Sequence, residues 1–249
     1  MAKVKISKEQ RKAVRSAKKM MEQVMKVDGN EAETRRRVER IFEDVMGYDV
    51  LKHLSREHAV KGAGETEHVD FAIQLESKPD ARPMVMIELK RVGIDLAKKH
   101  LNQVTSYAVN AGCEWILLTN GRKWKIYHVE FGQPPKIELL DNWNLLEDNI
   151  DELVRKFEVI NYKSIKSDGL NKRWNRAKVL APKSLLTAIV TENTLRIIRS
   201  NLHKNTGILV NNEEAYTGIN KLLNEAAATA MSNVKISKPV KSIKKSKAE

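Results

Sequence analysis

The sequence predicts an α/β fold, with helices at both ends of the chain enclosing a block of strands. Three observations predict it. Residues 7–45 carry two apolar stripes at helical spacing, each opened by a capping-box pattern. Residues 56–130 hold five segments of strand character with one helical segment among them. Beyond Pro134-Pro135 the apolar residues return to helical spacing, which predicts a mostly helical C-terminal region.

In chain order, Ser7-Lys8-Glu9-Gln10 is the first capping box. Val14, Ala17, Met21 and Val24 follow on one face, so residues 7–27 read as an amphipathic helix with a basic outer face. Asp28-Gly29 ends it. Asn30-Glu31-Ala32-Glu33 is the second box, with Glu33 as the capping partner. Val38, Ile41, Phe42 and Val45 carry that helix to Gly47. Residues 56–60 form a strand, and Gly62 and Gly64 mark a loop. Residues 68–75 and 84–90 alternate on either side of the turn Ser77-Lys78-Pro79-Asp80. Val69, Phe71, Ile73, Val85, Ile87 and Leu89 make one apolar face of this hairpin. Residues 95–110 are helical, with Ala97, Leu101, Val104 and Ala108 inward. Strands at 115–119 and 123–130 are joined at Asn120-Gly121, a two-residue hairpin signal. Leu146, Ile150, Leu153, Val154 and Phe157 repeat at helical spacing. Residues 185–202 and 213–231 are helical, with a break near Thr191. The Lys-rich stretch 233–249 is expected to be disordered.

At 249 residues and 41% hydrophobic content, the chain can bury one good core, or a core and an appendage. No apolar run approaches the roughly 20 residues of a membrane span. Met1-Ala2-Lys3-Val4-Lys5 lacks an apolar signal region. The single cysteine, Cys113, suits a reducing cytoplasm and reads as a small buried hydrophobe beside a strand. The net charge of +13 sits at the ends: nine Lys/Arg against two Glu in residues 1–27, and six Lys against one Glu in 233–249. Basic ends on a nearly neutral body suit either arms that grip a polyanion or solubility tails, and charge alone leaves both open. Neither end has the Trp or Phe that would favour a membrane surface.

A hairpin symmetric about Pro79 sets position 70 opposite 88, 72 opposite 86 and 74 opposite 84. Alternation then puts Asp70, Ala72, Glu88 and Lys90 together on the face away from the apolar one. Carboxylates directly opposed at Cβ separations of roughly 5 Å destabilise a sheet. A divalent cation compensates, and all-oxygen ligands suit Mg²⁺. Lys90 points the same way and can hold an anionic group or a polarised water. This is equipment for phosphodiester hydrolysis: a metal to orient water and neutralise growing charge, and a fixed ammonium beside it. An acid–x–Lys triplet alone is an ordinary solvated strand face; matched register, apolar flanks and a following helix strengthen it. Pro79-Asp80 is rejected as the acidic ligand, because Asp80 lies in the turn, on the order of 20 Å from Glu88. His53, His58, His68, His128 and His203 lack metal-ligand spacing. His68 faces Lys90 across the hairpin, and His100 reads as an exposed helix histidine.

Val69-Asp70-Phe71-Ala72, Ile87-Glu88-Leu89-Lys90-Arg91, Gln103-Val104-Thr105-Ser106-Tyr107, and Leu118-Thr119-Asn120-Gly121 with Trp124 and Tyr127 resemble the PD-(D/E)XK nuclease superfamily. They are most similar to the N-terminal nuclease domain of type I restriction enzyme R subunits. Asn30-Glu31-Ala32-Glu33-Thr34-Arg35 and Met46-Gly47-Tyr48-Asp49 fit the same pattern, so the resemblance covers residues 29–130. Asp70 follows Val69 where the motif's name has a proline. The resemblance implies a restriction-endonuclease-like core, a central mixed sheet flanked by helices. It also implies metal ligation at Asp70 and Glu88, and a catalytic lysine at Lys90. Glu31 corresponds to a helical glutamate supplied to the site; the rival reading is an acid favoured by the helix dipole. Gln103 and Tyr107 correspond to a helix that supports the site and approaches substrate; the rival reading is boundary packing.

The expected organisation is a basic N-terminal helix (1–28), a nuclease core (29–135), a helical region (136–232) and a Lys-rich tail (233–249). The expected activity is Mg²⁺-dependent endonucleolytic cleavage of DNA, with Mn²⁺ as a substitute, in a restriction, defence or phage-related setting and a prokaryotic or phage-infected cytoplasm. Asp70, Glu88 and Lys90 would carry it, assisted by Glu31 and Gln103. Tyr107, Lys8, Arg15 and Lys19 would contact the nucleic-acid backbone without reading sequence. RNA stays open on charge and fold. The C-terminal region is a candidate surface for a second copy or partner subunits. The sequence has no G-x-x-x-x-G-K-[ST] phosphate loop, so a stand-alone nuclease module is expected rather than an ATP-driven translocating subunit. The alternative is a nuclease fold that binds nucleic acid or protein without turnover.

Overall fold

The structure is a computed structural model that describes residues 6–61, 66–75 and 82–222. The loop at Gly62 and Gly64, the turn with Pro79 and Asp80, the end of the helix predicted at 213–231 and the tail 233–249 lie outside these. The chain divides into two units, residues 1–177 and 178–249.

Both capping boxes form. Helix α1 (Lys8–Lys26) starts where the Ser7 hydroxyl accepts the Gln10 N–H at 3.1 Å and the Gln10 side chain accepts the Ser7 N–H at 2.8 Å. Helix α2 (Glu31–Asp44) repeats this with Asn30 and Glu33. Their stripes, Val14, Ala17, Met21 and Val24 on one and Val38, Ile41 and Phe42 on the other, are buried. A one-turn helix α3 (Val50–His53) then leads into the sheet.

Six strands follow: β1 (Leu54–Lys61), β2 (Thr66–Ile73), β3 (Val85–Leu89), β4 (Trp115–Thr119), β5 (Lys123–Glu130) and β6 (Lys136–Asn144). They lie in sequence order across one sheet. β3 and β4 are parallel and every other neighbouring pair is antiparallel. Helix α4 (Lys98–Asn110) is the crossover that a parallel pair requires. This is the mixed sheet flanked by helices that the resemblance implies. The register of β2 on β3 pairs Phe71 with Ile87, Ala72 with Met86 and Ile73 with Val85, as the symmetric hairpin predicts.

Both sheet faces are buried. Phe71, Ile73, Val85, Ile87, Leu89, Leu117 and Trp124 pack in the larger core with α1, α2 and α5 (Ile150–Phe157). Burying each such side chain contributes about 1.5–3 kcal/mol. The opposite face meets α4 through Met86, Ile116, Val104, Tyr107 and Ala108. Val69 corrects the sequence reading: it is buried, but in this second core, not beside Phe71. The change of face falls between Val69 and Phe71, beyond the end of the β2–β3 ladder and beside Glu57 of β1, whose backbone is left-handed.

Two further differences have local causes. Residues from 136 onward are not all helical, because β6 adds an edge strand. A register shift against β5, between Ile126 and Tyr127, leaves Leu139 and Leu140 adjacent and hides the period-two pattern. The β4–β5 turn is centred on Gly121 and Arg122, one residue later than Asn120-Gly121. The Asn120 N–H bonds to the Lys123 carbonyl, and φ is +75° at Gly121, which fits a type II′ turn. Asn120 is buried and has another task, described below.

After α5, helices α6 (Tyr162–Lys166) and α7 (Gly169–Val179) continue the chain. Trp174 of α7 is buried in the larger core, stacked on His128. In the second unit α8 (Pro182–Ile189) and α9 (Glu192–Thr206) are separated at Thr191, which caps α9, as the predicted break requires. Arg199 joins α9 to the start of α10 (Asn212–Leu222) through the Val210 carbonyl and the Asn212 side chain. Among the described residues no helix is long and apolar enough to cross a membrane.

Candidate active site

The ladder between β2 and β3 ends at Phe71 and Ile87. The next inward donor on β3 is the Leu89 N–H. The Asp70 carboxylate takes it: Oδ2 accepts that proton at 2.8 Å. A side chain thus replaces a ladder carbonyl at the point where the strands part. The other oxygen, Oδ1, accepts from Arg35 Nη2 at 2.5 Å.

Arg35 comes from α2, one turn beyond Glu31. Its guanidinium also lies 3.7 Å from Glu57 and 4.0 Å from Glu31, and sits over the Phe71 ring. On β1 the flanking pairs Arg56–Phe71 and His58–Val69 set Glu57 beside Asp70, and on β3 Glu88 follows Ile87, where the β2–β3 ladder ends. Acids from three neighbouring strands therefore lie at the end of that ladder. Glu57 has a left-handed backbone (φ +45°), uncommon for a non-glycine residue and a local strain in β1.

Glu88 is the buried member, with its side chain 3% exposed, and its Oε1 accepts from Lys90 Nζ at 2.5 Å. Burial raises its carboxyl pKa, and the charges of Asp70 and Glu31 raise it further against the opposing effect of Lys90. For Lys90, burial pulls the pKa down, yet the bond to Glu88 and the charges of Glu88, Asp70 and Glu31 bring it above its ordinary value.

The segment after Lys90 is clamped from two sides. The buried Thr34 hydroxyl accepts the Val92 N–H at 3.1 Å and donates to the Asn30 carbonyl at 3.0 Å. Asn120 Nδ2 donates to the carbonyls of Val92 and Ile94, while its Oδ1 accepts the N–H groups of Arg122 and Lys123. α2 and the β4–β5 turn thereby fix where Lys90 points.

Glu31, Asp70, Glu88 and Lys90, all expected from the sequence, are therefore neighbours. Gln103 and Tyr107 pair with each other, Nε2 donating to Oη at 3.1 Å; Gln103 is exposed and Tyr107 is buried in the second core. No described hydrogen bond joins either to the acids. Lys8, Arg15 and Lys19 are exposed on α1. His100 is buried rather than exposed, because its Nδ1 accepts the Ala97 N–H at 3.2 Å and closes the start of α4. Its pKa is lowered by burial and then by Lys90 and Lys99. His68 contacts the Glu57 carbonyl. Cys113 is buried, its thiol pushed up to about 11 by burial. Arg35 and Glu57 were missed. The available signal was the i,i+4 spacing of Glu31 and Arg35, which puts both on one helix face.

Among the described residues no group of three or more His, Cys, Asp or Glu side chains forms a metal site. The protein would offer a divalent ion two carboxylates, Asp70 and Glu88. That fits Mg²⁺, which commonly takes one or two carboxylates and completes its shell with water and phosphate oxygens.

The mixed sheet flanked by helices is the fold that the motifs imply, with Asp70, Glu88 and Lys90 brought together at its β2 and β3 strands. Residues 30–142 match the family described as type I restriction enzyme R protein N terminus. That segment holds Glu31, Arg35, Asp70, Glu88, Lys90, Gln103 and Tyr107, and it extends into β6. A solved structure, titled as a cryoEM structure of a DrdV-DNA complex, is similar over 61% of this chain and 99% of that one, at 15% identity and a TM-score of 0.43. Curated proteins give no match.

Proposed function

We propose that the protein is a Mg²⁺-dependent endonuclease that hydrolyses DNA phosphodiester bonds, with Asp70, Glu88 and Lys90 as its active site. The observation that carries this reading is the convergence of Asp70, Glu88 and Lys90 where the β2–β3 ladder ends, Asp70 bonded to the Leu89 N–H and Lys90 to Glu88. The family matched over residues 30–142 is part of a restriction enzyme, which supports a nuclease in a restriction or defence setting.

Asp70 and Glu88 would hold the ion, with Mn²⁺ as a substitute. When bound, it supplies orientation of water and neutralisation of charge growing on phosphorus. Lys90 holds the attacking water or a phosphate oxygen, steadied by Glu88. Glu31 adds negative charge at the mouth of the site. Gln103 and Tyr107 flank the approach, and Lys8, Arg15 and Lys19 engage backbone phosphates.

The test is cleavage of supercoiled plasmid with Mg²⁺ and with EDTA. Wild type is expected to cut only with the metal, and Lys90→Ala to lose roughly a hundredfold or more. A Lys90→Ala variant that cuts as well as wild type refutes the assignment. Binding to DNA without cleavage under any divalent metal selects the binding-module alternative.

A further inference from the structure

Arg35 is in the wrong place for a passive surface ion pair. Asp70 is 13% exposed, and both its oxygens are engaged, one by Arg35 and one by the Leu89 N–H. The Leu89 contact is fixed by the backbone. An ion binding at Asp70 therefore shares an oxygen with one of these donors, and the donor that repels a cation and is free to swing away is the Arg35 guanidinium. Arg35 has somewhere to go: Glu57 and Glu31 already lie 3.7 and 4.0 Å away. Its Nε is buried and has no hydrogen-bond partner, so the guanidinium is not fully satisfied where it sits. A planar fork of this kind also matches a phosphate.

We infer that Arg35 is a built-in competitor for the divalent ion at Asp70, displaced when the ion binds and released toward the substrate phosphate, so that metal and nucleic acid bind cooperatively. The inference rests on the metal-site reading above. Arg35 is here a positioning residue: it governs when Asp70 becomes available. Without nucleic acid, the ion must break the Arg35–Asp70 contact unaided and binds weakly. With a phosphodiester present, the freed guanidinium gains a second anionic partner. By linkage, the ion then strengthens nucleic-acid binding by the same factor.

The experiment is Mn²⁺ binding to the full chain, followed by the electron paramagnetic resonance of the free ion. It is run with and without a DNA duplex bearing non-hydrolysable phosphorothioate linkages. Arg35→Gln is expected to bind Mn²⁺ on the order of tenfold tighter than wild type without DNA. The further gain on adding DNA is expected to shrink in that variant. Arg35→Lys keeps a positive charge for the acids and protects the fold; it is expected to fall between the two, because an ammonium lacks the fork. Arg35→Gln and Arg35→Lys binding Mn²⁺ no tighter than wild type overturns the inference while leaving the metal site standing. Wild type showing no Mn²⁺ binding sensitive to Glu88→Gln fails the metal-site reading itself, and the inference with it.

Discussion

Asp70 is assigned two roles, and they can be separated by comparing Asp70→Ala with Asp70→Asn. Each variant removes the negative charge. Each therefore loses the pairing with Arg35 and relieves the repulsion from Glu88 and Glu31 alike, and those contributions cancel in the comparison. What differs is the acceptor for the Leu89 N–H, which is buried with Leu89 fully enclosed. Alanine leaves that donor unsatisfied, at a cost of about 1–3 kcal/mol; asparagine can still accept it. The amide of asparagine then faces Arg35, which can turn to Glu57 and Glu31. The expected result, by thermal unfolding in EDTA, is that Asp70→Ala melts below Asp70→Asn by roughly 2–10 °C. Both are expected to lose plasmid cleavage to the same extent. Equal melting temperatures for the two would refute the view that this carboxylate substitutes for a ladder acceptor where β2 leaves β3.

His100 has a folded pKa below its ordinary value, so the unfolded chain binds the proton more tightly; the stability this gives is present above about pH 6.5 and lost as pH falls through the folded pKa. His100→Gln should flatten the stability profile below pH 6.5, and an unchanged profile in urea titrations would remove His100 as the cause. With its thiol at about 11, Cys113 should be on the order of 0.1% thiolate at pH 8 and label with iodoacetamide far more slowly in native protein than in urea; equal rates would contradict its burial. Gly121→Ala would force a side chain onto φ +75° and against the buried end of Met21, and should cost about 1–3 kcal/mol in urea unfolding; a neutral result would mean the turn can rearrange.

The elements legible in the sequence were those set by short-range rules. Both capping boxes, the α1 and α2 stripes and the break at Thr191 depend on residues within a turn or two. The register of β2 on β3 was legible because alternation on both strands and the spacing between them point to one pairing, and the pairs from Phe71–Ile87 to Ile73–Val85 follow it. What was not legible depends on where strands separate. The burial of Val69 in the second core, the use of the Asp70 carboxylate as a backbone acceptor and the pairing with Arg35 all lie at or beyond the end of the β2–β3 ladder, and they depend on neighbours distant in sequence. β6 was hidden by its irregular register against β5, which sets Leu139 and Leu140 side by side. Asn120-Gly121 was read for its turn alone, whereas the buried Asn120 side chain both closes that turn and holds the segment after Lys90.

Arg35 and Glu57 change what the acids mean. With Asp70 and Glu88 alone, the site is a pair of opposed carboxylates in need of a counter-ion. The structure adds Glu57 and Glu31 on one side and Arg35 on the other, around the Lys90–Glu88 pair. Four carboxyl groups then stand beside two cations, so the cluster holds more acids than the chain's own bases there can pair. Burial alone would lower the pKa of Lys90; its bond to Glu88, and then the charges of Glu88, Asp70 and Glu31, raise it instead. A site built only for structural ion pairs would gain by balancing its charges within the chain. Here the surplus lies where the Asp70 carboxylate accepts the Leu89 N–H beyond the end of the β2–β3 ladder, and the proposed divalent ion would offset it.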